Sequence, residues 1–244
     1  MNKGLRQLGM FIMVFAILFW TQFALAETIK IAIIDSGAKK YVDNSVSFTN
    51  FSASDDSLGH GTKIAKLIRS GSPTAEITML QVCEKKNGVF KPSRRAIFEA
   101  VKWAVAENVD VVNMSLVTKY DPEIERVIEE AATRHGIVFV AASGNTSIQK
   151  LFTVGKDGIM RRSDRLQKPL FPASSSNVIS VGAVNSKGKV AQYSVKTSDV
   201  IANGRIYKEK GTSFACARVT AKVANIISDT SFNRTPEDIL ALLK

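Results

Sequence analysis

Thr28-Ile29-Lys30-Ile31-Ala32-Ile33-Ile34-Asp35-Ser36-Gly37 is the run from which the architecture can be read. Its β-branched residues predict a strand buried on both faces, and Asp35-Ser36-Gly37 stops it abruptly with turn chemistry. Asp35 therefore sits at the carboxyl end of a strand. Four more runs of the same kind follow: Glu76 to Val82, Asp110 to Met114, Gly136 to Ala142 and Val178 to Val184. Helical patterns separate them, at His60 to Ile68, Pro92 to Glu107 (Ile97, Ala100, Val101, Ala104 and Val105 at helical spacing) and Pro122 to Arg134. Strands alternating with helices imply right-handed βαβ units. The expected class is α/β, a three-layer sandwich around a mainly parallel, doubly wound sheet.

Between the first strand and His60 the chain is polar and Ser- and Asn-rich, with no strand or helix pattern assigned to it. Weaker strand signals lie at Val190 to Tyr193, Val200 to Ala202 and Arg205 to Tyr207. Leu151-Phe152-Thr153-Val154, Gly155-Lys156-Asp157-Gly158 and Ile159-Met160 look like a hairpin. With the basic residues Arg161, Arg162, Arg165 and Lys168, it reads as an insertion over 147–168. Thr235 caps a last short helix that has Pro236 at its first position and runs through Leu243.

The chain has 244 residues, 45% of them hydrophobic, enough for one large domain. Lys3 and Arg6, the apolar run Met10 to Trp20 and Ala24-Leu25-Ala26 have the layout of a secretory signal. The expected division is a signal peptide over 1–26 and one domain over 27–244. The apolar run falls short of the roughly 20 residues that a spanning helix needs, so no membrane association is expected after cleavage. Beyond residue 26 there are 31 basic and 22 acidic residues, a net charge of +9. They are scattered, without interleaved aromatics, which argues for a solvated basic surface and against nucleic acid. Cys83 and Cys216 are too few for a disulfide framework and lack metal-ligand spacing. In an exported protein they either pair or serve as small buried residues.

Three chemistry-bearing residues lie where such a sheet gathers its sites: Asp35 at a strand end, His60 between Gly59 and Gly61 at a helix start, and Ser213 within Gly211-Thr212-Ser213-Phe214-Ala215. Read alone, Gly211-Thr212-Ser213 is a good helix cap and Asp35 a loop cap. Together they supply a nucleophile, a base and a carboxylate that fixes the tautomer of the base.

These motifs, in this order, resemble the subtilisin-family serine proteases (subtilases). Ile33-Ile34-Asp35-Ser36-Gly37 is similar to the aspartate motif, Gly59-His60-Gly61-Thr62 to the histidine motif and Gly211-Thr212-Ser213-Phe214-Ala215 to the serine motif. Ala141-Ala142-Ser143-Gly144-Asn145 resembles the segment that presents the oxyanion asparagine, and Val112-Asn113-Met114-Ser115-Leu116 the segment that pairs with bound peptide. The resemblance implies catalysis by Asp35, His60 and Ser213, with an oxyanion hole made by Asn145 and the Ser213 N–H. It implies substrate contacts from Ser115, Leu116, Val117, Ala142, Ser143 and Gly144, a peptide or protein substrate, and an acyl-enzyme with no cofactor or metal.

The motifs also depart from the family. Only Glu27 separates the expected cleavage site from the first strand, leaving no room for a propeptide. Folding is then either unassisted or served by a separate chaperone or inhibitor protein. The chain passes from Ser70-Gly71-Ser72-Pro73 straight to the next strand, without the loop that wraps calcium in many members of the family, and Asp55-Asp56 reads as a pair that either holds a weaker ion or, more commonly for exposed acids, is solvated. Cys216-Ala217 replaces serine and proline, Lys63 and Lys66 replace histidine and glycine, and Val117 stands where glycine is usual. Val117 and the insertion suggest restricted specificity, and with the signal segment the expectation is an exported, periplasmic or secreted endopeptidase. The competing expectation is a weak or inactive module that binds a peptide or protein partner.

Overall fold

The computed structural model describes residues 28–86, 88–145, 152–154, 160–162, 168–229 and 234–243. The expected signal peptide, and the turn of the expected hairpin, lie outside them. The strands are β1 (Lys30–Asp35), β2 (Asn44–Ser47), β3 (Glu76–Gln81), β4 (Cys83–Lys86), β5 (Val89–Pro92), β6 (Val111–Met114), β7 (Val138–Ala142), β8 (Phe152–Val154), β9 (Met160–Arg162), β10 (Val178–Val184), β11 (Val200–Asn203), β12 (Arg205–Ile206) and β13 (Glu209–Lys210). The helices are α1 (His60–Gly71), α2 (Arg94–Ala106), α3 (Pro122–His135), α4 (Thr212–Asp229) and α5 (Pro236–Leu243).

Seven strands form one sheet in the order β11-β10-β7-β6-β1-β3-β2. Every pairing in it is parallel. Alternation along β1 builds two cores. Ile31 and Ile33 join Ile64 and Ile68 of α1 and Val219 and Val223 of α4 on one face. Ala32 and Ile34 join Ile97 and Val101 of α2 and Ile124 and Ile128 of α3 on the other. This is the three-layer α/β arrangement expected from the strand-helix alternation.

Several local expectations are corrected. Asn44–Ser47, within the polar stretch where no element is expected, is an edge strand on β3; its one apolar residue, Val46, packs against the core. Helix α2 begins at Arg94 rather than Pro92, because Cys83–Lys86 and Val89–Pro92 pair as an antiparallel hairpin. Val190 to Tyr193 makes only an isolated bridge, Val184 to Val190. The β8–β9 pair keeps the expected hairpin, but its second strand extends to Arg162.

The entry to α1 is the tightest junction. A Cβ on Gly61 would overlap the Gly37 carbonyl oxygen, a position no side chain can occupy unless the backbone moves. Gly59, in the cap position, has no side chain to offer the helix; Asp56 serves instead, its Oδ2 accepting from Thr62 N at 2.8 Å. Asp56 is buried, not solvated as expected, and its Oδ1 accepts from Ser36 Oγ at 2.8 Å. Gly61→Ala is expected to destabilise the fold by about 1–3 kcal/mol, the usual cost of forcing bulk into a packed interior. Thermal unfolding measures it, and a variant as stable as the parent would show that this junction can relax.

Candidate active site

Strands β1, β6 and β7 are neighbours in the sheet, so their carboxyl ends bring Asp35, Ser115 and Asn145 to one edge. Open parallel sheets collect their sites at that edge. Two helices point their N-termini at it: α1 contributes His60 as its first residue, and α4 contributes Ser213 as its second.

His60 Nδ1 lies 2.8 Å from Asp35 Oδ1. The carboxylate is 3% exposed and the imidazole 33%, so the pair has a dry end and a wet end. Asp35 Oδ1 also accepts from Ser36 N at 2.7 Å, whereas Oδ2 is buried with no hydrogen-bond partner among the described residues. Ser36 Oγ in turn accepts from Gly61 N at 3.1 Å, which ties the aspartate turn to the histidine turn. The ring of Phe214 stands 6.0 Å from that of His60 and closes one side of the imidazole.

Burial alone would pull the His60 pKa down, but the charge and hydrogen bond of Asp35, with Asp56 adding to them, raise it above its ordinary 6.5. Lys63 works in the opposite direction and is itself paired with Glu209 at 2.6 Å. Lys66 bonds the hydroxyl of Tyr207.

Ser213 Oγ donates to the Ser115 carbonyl at 3.0 Å, and Ser115 Oγ donates back to the Ser213 carbonyl at 3.0 Å. Among the described residues, therefore, His60 is joined to Asp35 while the Ser213 hydroxyl is held by Ser115. Asn145 Oδ1 accepts from Thr212 N at 3.0 Å and from Thr212 Oγ1 at 3.2 Å. A backbone N–H can only donate, so the atom facing it must be the amide oxygen. That leaves Asn145 Nδ2 as a donor beside the start of α4, where the first N–H groups of a helix also lack intrahelical partners.

A buried polar cluster with no signal in the sequence pattern supports this turn from beneath. Asn113 Nδ2 donates to Thr220 Oγ1 at 2.8 Å and to Cys216 Sγ at 3.2 Å, while its Oδ1 lies 3.0 Å from Ser115 Oγ and shares that hydroxyl's single proton with the Ser213 carbonyl. Cys83 and Cys216 are both free and buried, and burial pushes each thiol up to about 12. Ser115 and Ser143 are buried, and Leu116 and Val117 half-buried. Ala142 ends β7 and Gly144 follows with φ of 106°. No group of three or more His, Cys, Asp or Glu among the described residues is arranged to hold a metal ion.

The family model described as "Subtilase family" matches residues 19–244. Minor extracellular protease Epr of Bacillus subtilis is 30% identical over 198 residues, which cover 74% of this chain and 27% of Epr. The major intracellular serine protease of the same organism is 26% identical, over 88% of this chain and 74% of that protein. Subtilisin amylosacchariticus, from Bacillus subtilis subsp. amylosacchariticus, is 29% identical over 83% of this chain and 56% of its own length. The chain thus spans between about a quarter and three quarters of these relatives. A crystal structure of a lanthipeptide protease superimposes with a TM-score of 0.68 at 21% identity, covering 88% of this chain and 78% of that one, a likeness of fold.

Because the folded His60 pKa stands above its unfolded value, the charged pair with Asp35 stabilises the fold fully below about pH 6.5 and loses that contribution as pH rises through the folded value. An NMR titration of His60 is expected to have its midpoint above 6.5, and Asp35→Asn to move it down. A midpoint that does not respond to Asp35→Asn would contradict the coupling.

Proposed function

The chain belongs to the subtilase family, and from that premise we propose that it is an exported serine endopeptidase that cleaves peptide or protein substrates through Ser213, His60 and Asp35. The observation that carries the reading is the buried Asp35 carboxylate, 2.8 Å from His60 Nδ1, at the sheet edge that α4 approaches with Ser213. Serine alone is a poor nucleophile at neutral pH and needs such a base.

In the proposed reaction Ser213 Oγ attacks the scissile carbonyl carbon, and His60 Nε2 takes the hydroxyl proton. Asp35 holds Nδ1–H and stabilises the imidazolium. The negative charge on the tetrahedral oxygen is met by Asn145 Nδ2 and the Ser213 N–H. Collapse breaks the C–N bond, and His60 returns the proton to the departing amine. Water, activated by the same imidazole, then releases the acid from the acyl-enzyme. Ser115 to Val117 and Ala142 to Gly144 would form the two edges against which the peptide lies.

A second reading, a module that binds peptide without cleaving it, is favoured by the Ser213 hydroxyl bonding Ser115 rather than His60. An alkyl fluorophosphonate separates the two. The enzyme reading expects covalent labelling that is lost in Ser213→Ala, while folded protein that stays unlabelled would support the binding module. Asn145→Ala is expected to lower kcat by about 100- to 1000-fold, the scale known for the corresponding asparagine of a subtilisin.

A further inference from the structure

Leu170 stands between the two edges just described. The Leu170 N–H donates to the Ser143 carbonyl at 3.0 Å, and the Thr118 N–H donates to the Phe171 carbonyl at 3.0 Å. Leu170-Phe171 therefore bridges the segment after β6 to the segment after β7. Phe171 is buried, and its ring meets that of Tyr120 edge-on at 5.4 Å, so the bridge is anchored on its far side.

From this bridge the Leu170 side chain lies on the open face of Gly144. A Cβ on Gly144 would meet Leu170 Cδ1 at 2.8 Å and Cγ at 3.1 Å. The space that the glycine leaves beside the β7 segment is thus already filled by the chain's own leucine. Leu170 is half-buried. Leu116 and Val117, also half-buried, belong to the opposite edge.

We infer that Leu170 limits the substrate residue on the acyl side of the scissile bond to glycine, alanine or serine. The inference rests on the peptidase reading above. A peptide whose carbonyl carbon reaches Ser213 lays that residue's side chain between the Ser115–Val117 and Ser143–Gly144 segments, where Leu170 takes the depth an aromatic or long aliphatic side chain would need. Hydrophobic pockets discriminate by roughly 10- to 200-fold for a methylene of mismatch, so a whole ring should be rejected at least that strongly.

The test uses two peptide p-nitroanilides that differ only in the residue before the scissile bond, alanine or phenylalanine. The parent is expected to favour alanine by at least about tenfold in kcat/KM. Leu170→Ala and Leu170→Gly are expected to raise the phenylalanine-to-alanine ratio progressively, with Leu170→Ala carrying the comparison should the glycine variant not fold. A parent that cleaves the phenylalanine peptide as readily overturns the inference, as does a ratio that stays unmoved in a variant whose Ser213 still reacts with the fluorophosphonate. Absence of both phosphonylation and cleavage in the parent would instead overturn the peptidase reading, and this inference with it.

Discussion

Where α1 begins, its backbone lies against the end of β1, and the candidate site is assembled around that contact. Gly61 has no Cβ, so its backbone can sit against the Gly37 carbonyl. Only with the two segments this close do Ser36 Oγ and Gly61 N meet, and only then does His60, one residue earlier, reach the buried Asp35 carboxylate. Asp56 completes the junction by accepting from both the Ser36 hydroxyl and the Thr62 N–H. Its negative charge at a helix N-terminus is favourable, and the same charge helps to raise the His60 pKa. One buried acid thus acts on the position of the histidine and on its protonation.

The fold was legible because buried parallel strands write themselves as near-continuous apolar runs: Ile31 to Ile34 of β1 and all of β7 are unbroken, β6 is interrupted only by Asn113, and β10 only by Ser180 and Gly182. The positions of Asp35, His60 and Ser213 followed from where those runs stop or where a helix starts. What escaped was short, polar or paired over a distance. Asn44–Ser47 is an edge strand whose one apolar residue, Val46, packs against the core, too little to mark a periodicity. Asp56 looks like any exposed acid until the turn folds back and buries it. Leu170 stands in an irregular stretch before Phe171-Pro172, and its significance depends on Gly144, far from it in the chain.

The serine turn is held by a different device from the histidine turn. Asn113 is on β6, and its amide reaches Cys216 and Thr220 on α4, while its oxygen shares the Ser115 hydroxyl proton with the Ser213 carbonyl. Buried polar groups are costly when unpaired, so a satisfied cluster fixes one arrangement of α4 against the sheet. Cys216 and Ala217, the departures from the family's serine motif, lie fully inside this contact. The thiol donates weakly to the Val140 carbonyl at 3.4 Å and accepts from Asn113. A small, weakly polar side chain can occupy that position without demanding strong partners.

The two halves of the site are therefore built separately and meet at one rotatable bond. Asp35 and His60 are locked by the α1 junction, and the Ser213 backbone is locked by the Asn113 cluster and by Asn145 on Thr212. The Ser213 hydroxyl is the element left with a choice, and it rests on the Ser115 carbonyl. Rotation of a side chain outside the packed core takes picoseconds to nanoseconds, far faster than any turnover. A peptide N–H that competes for the Ser115 carbonyl would free the hydroxyl where the rigid groups already stand. Catalytic hydrogen bonds commonly tighten only once substrate is bound, and this arrangement gives a local reason for it: the acceptor that holds the Ser213 hydroxyl, the proposed nucleophile, lies on the edge proposed to receive the substrate.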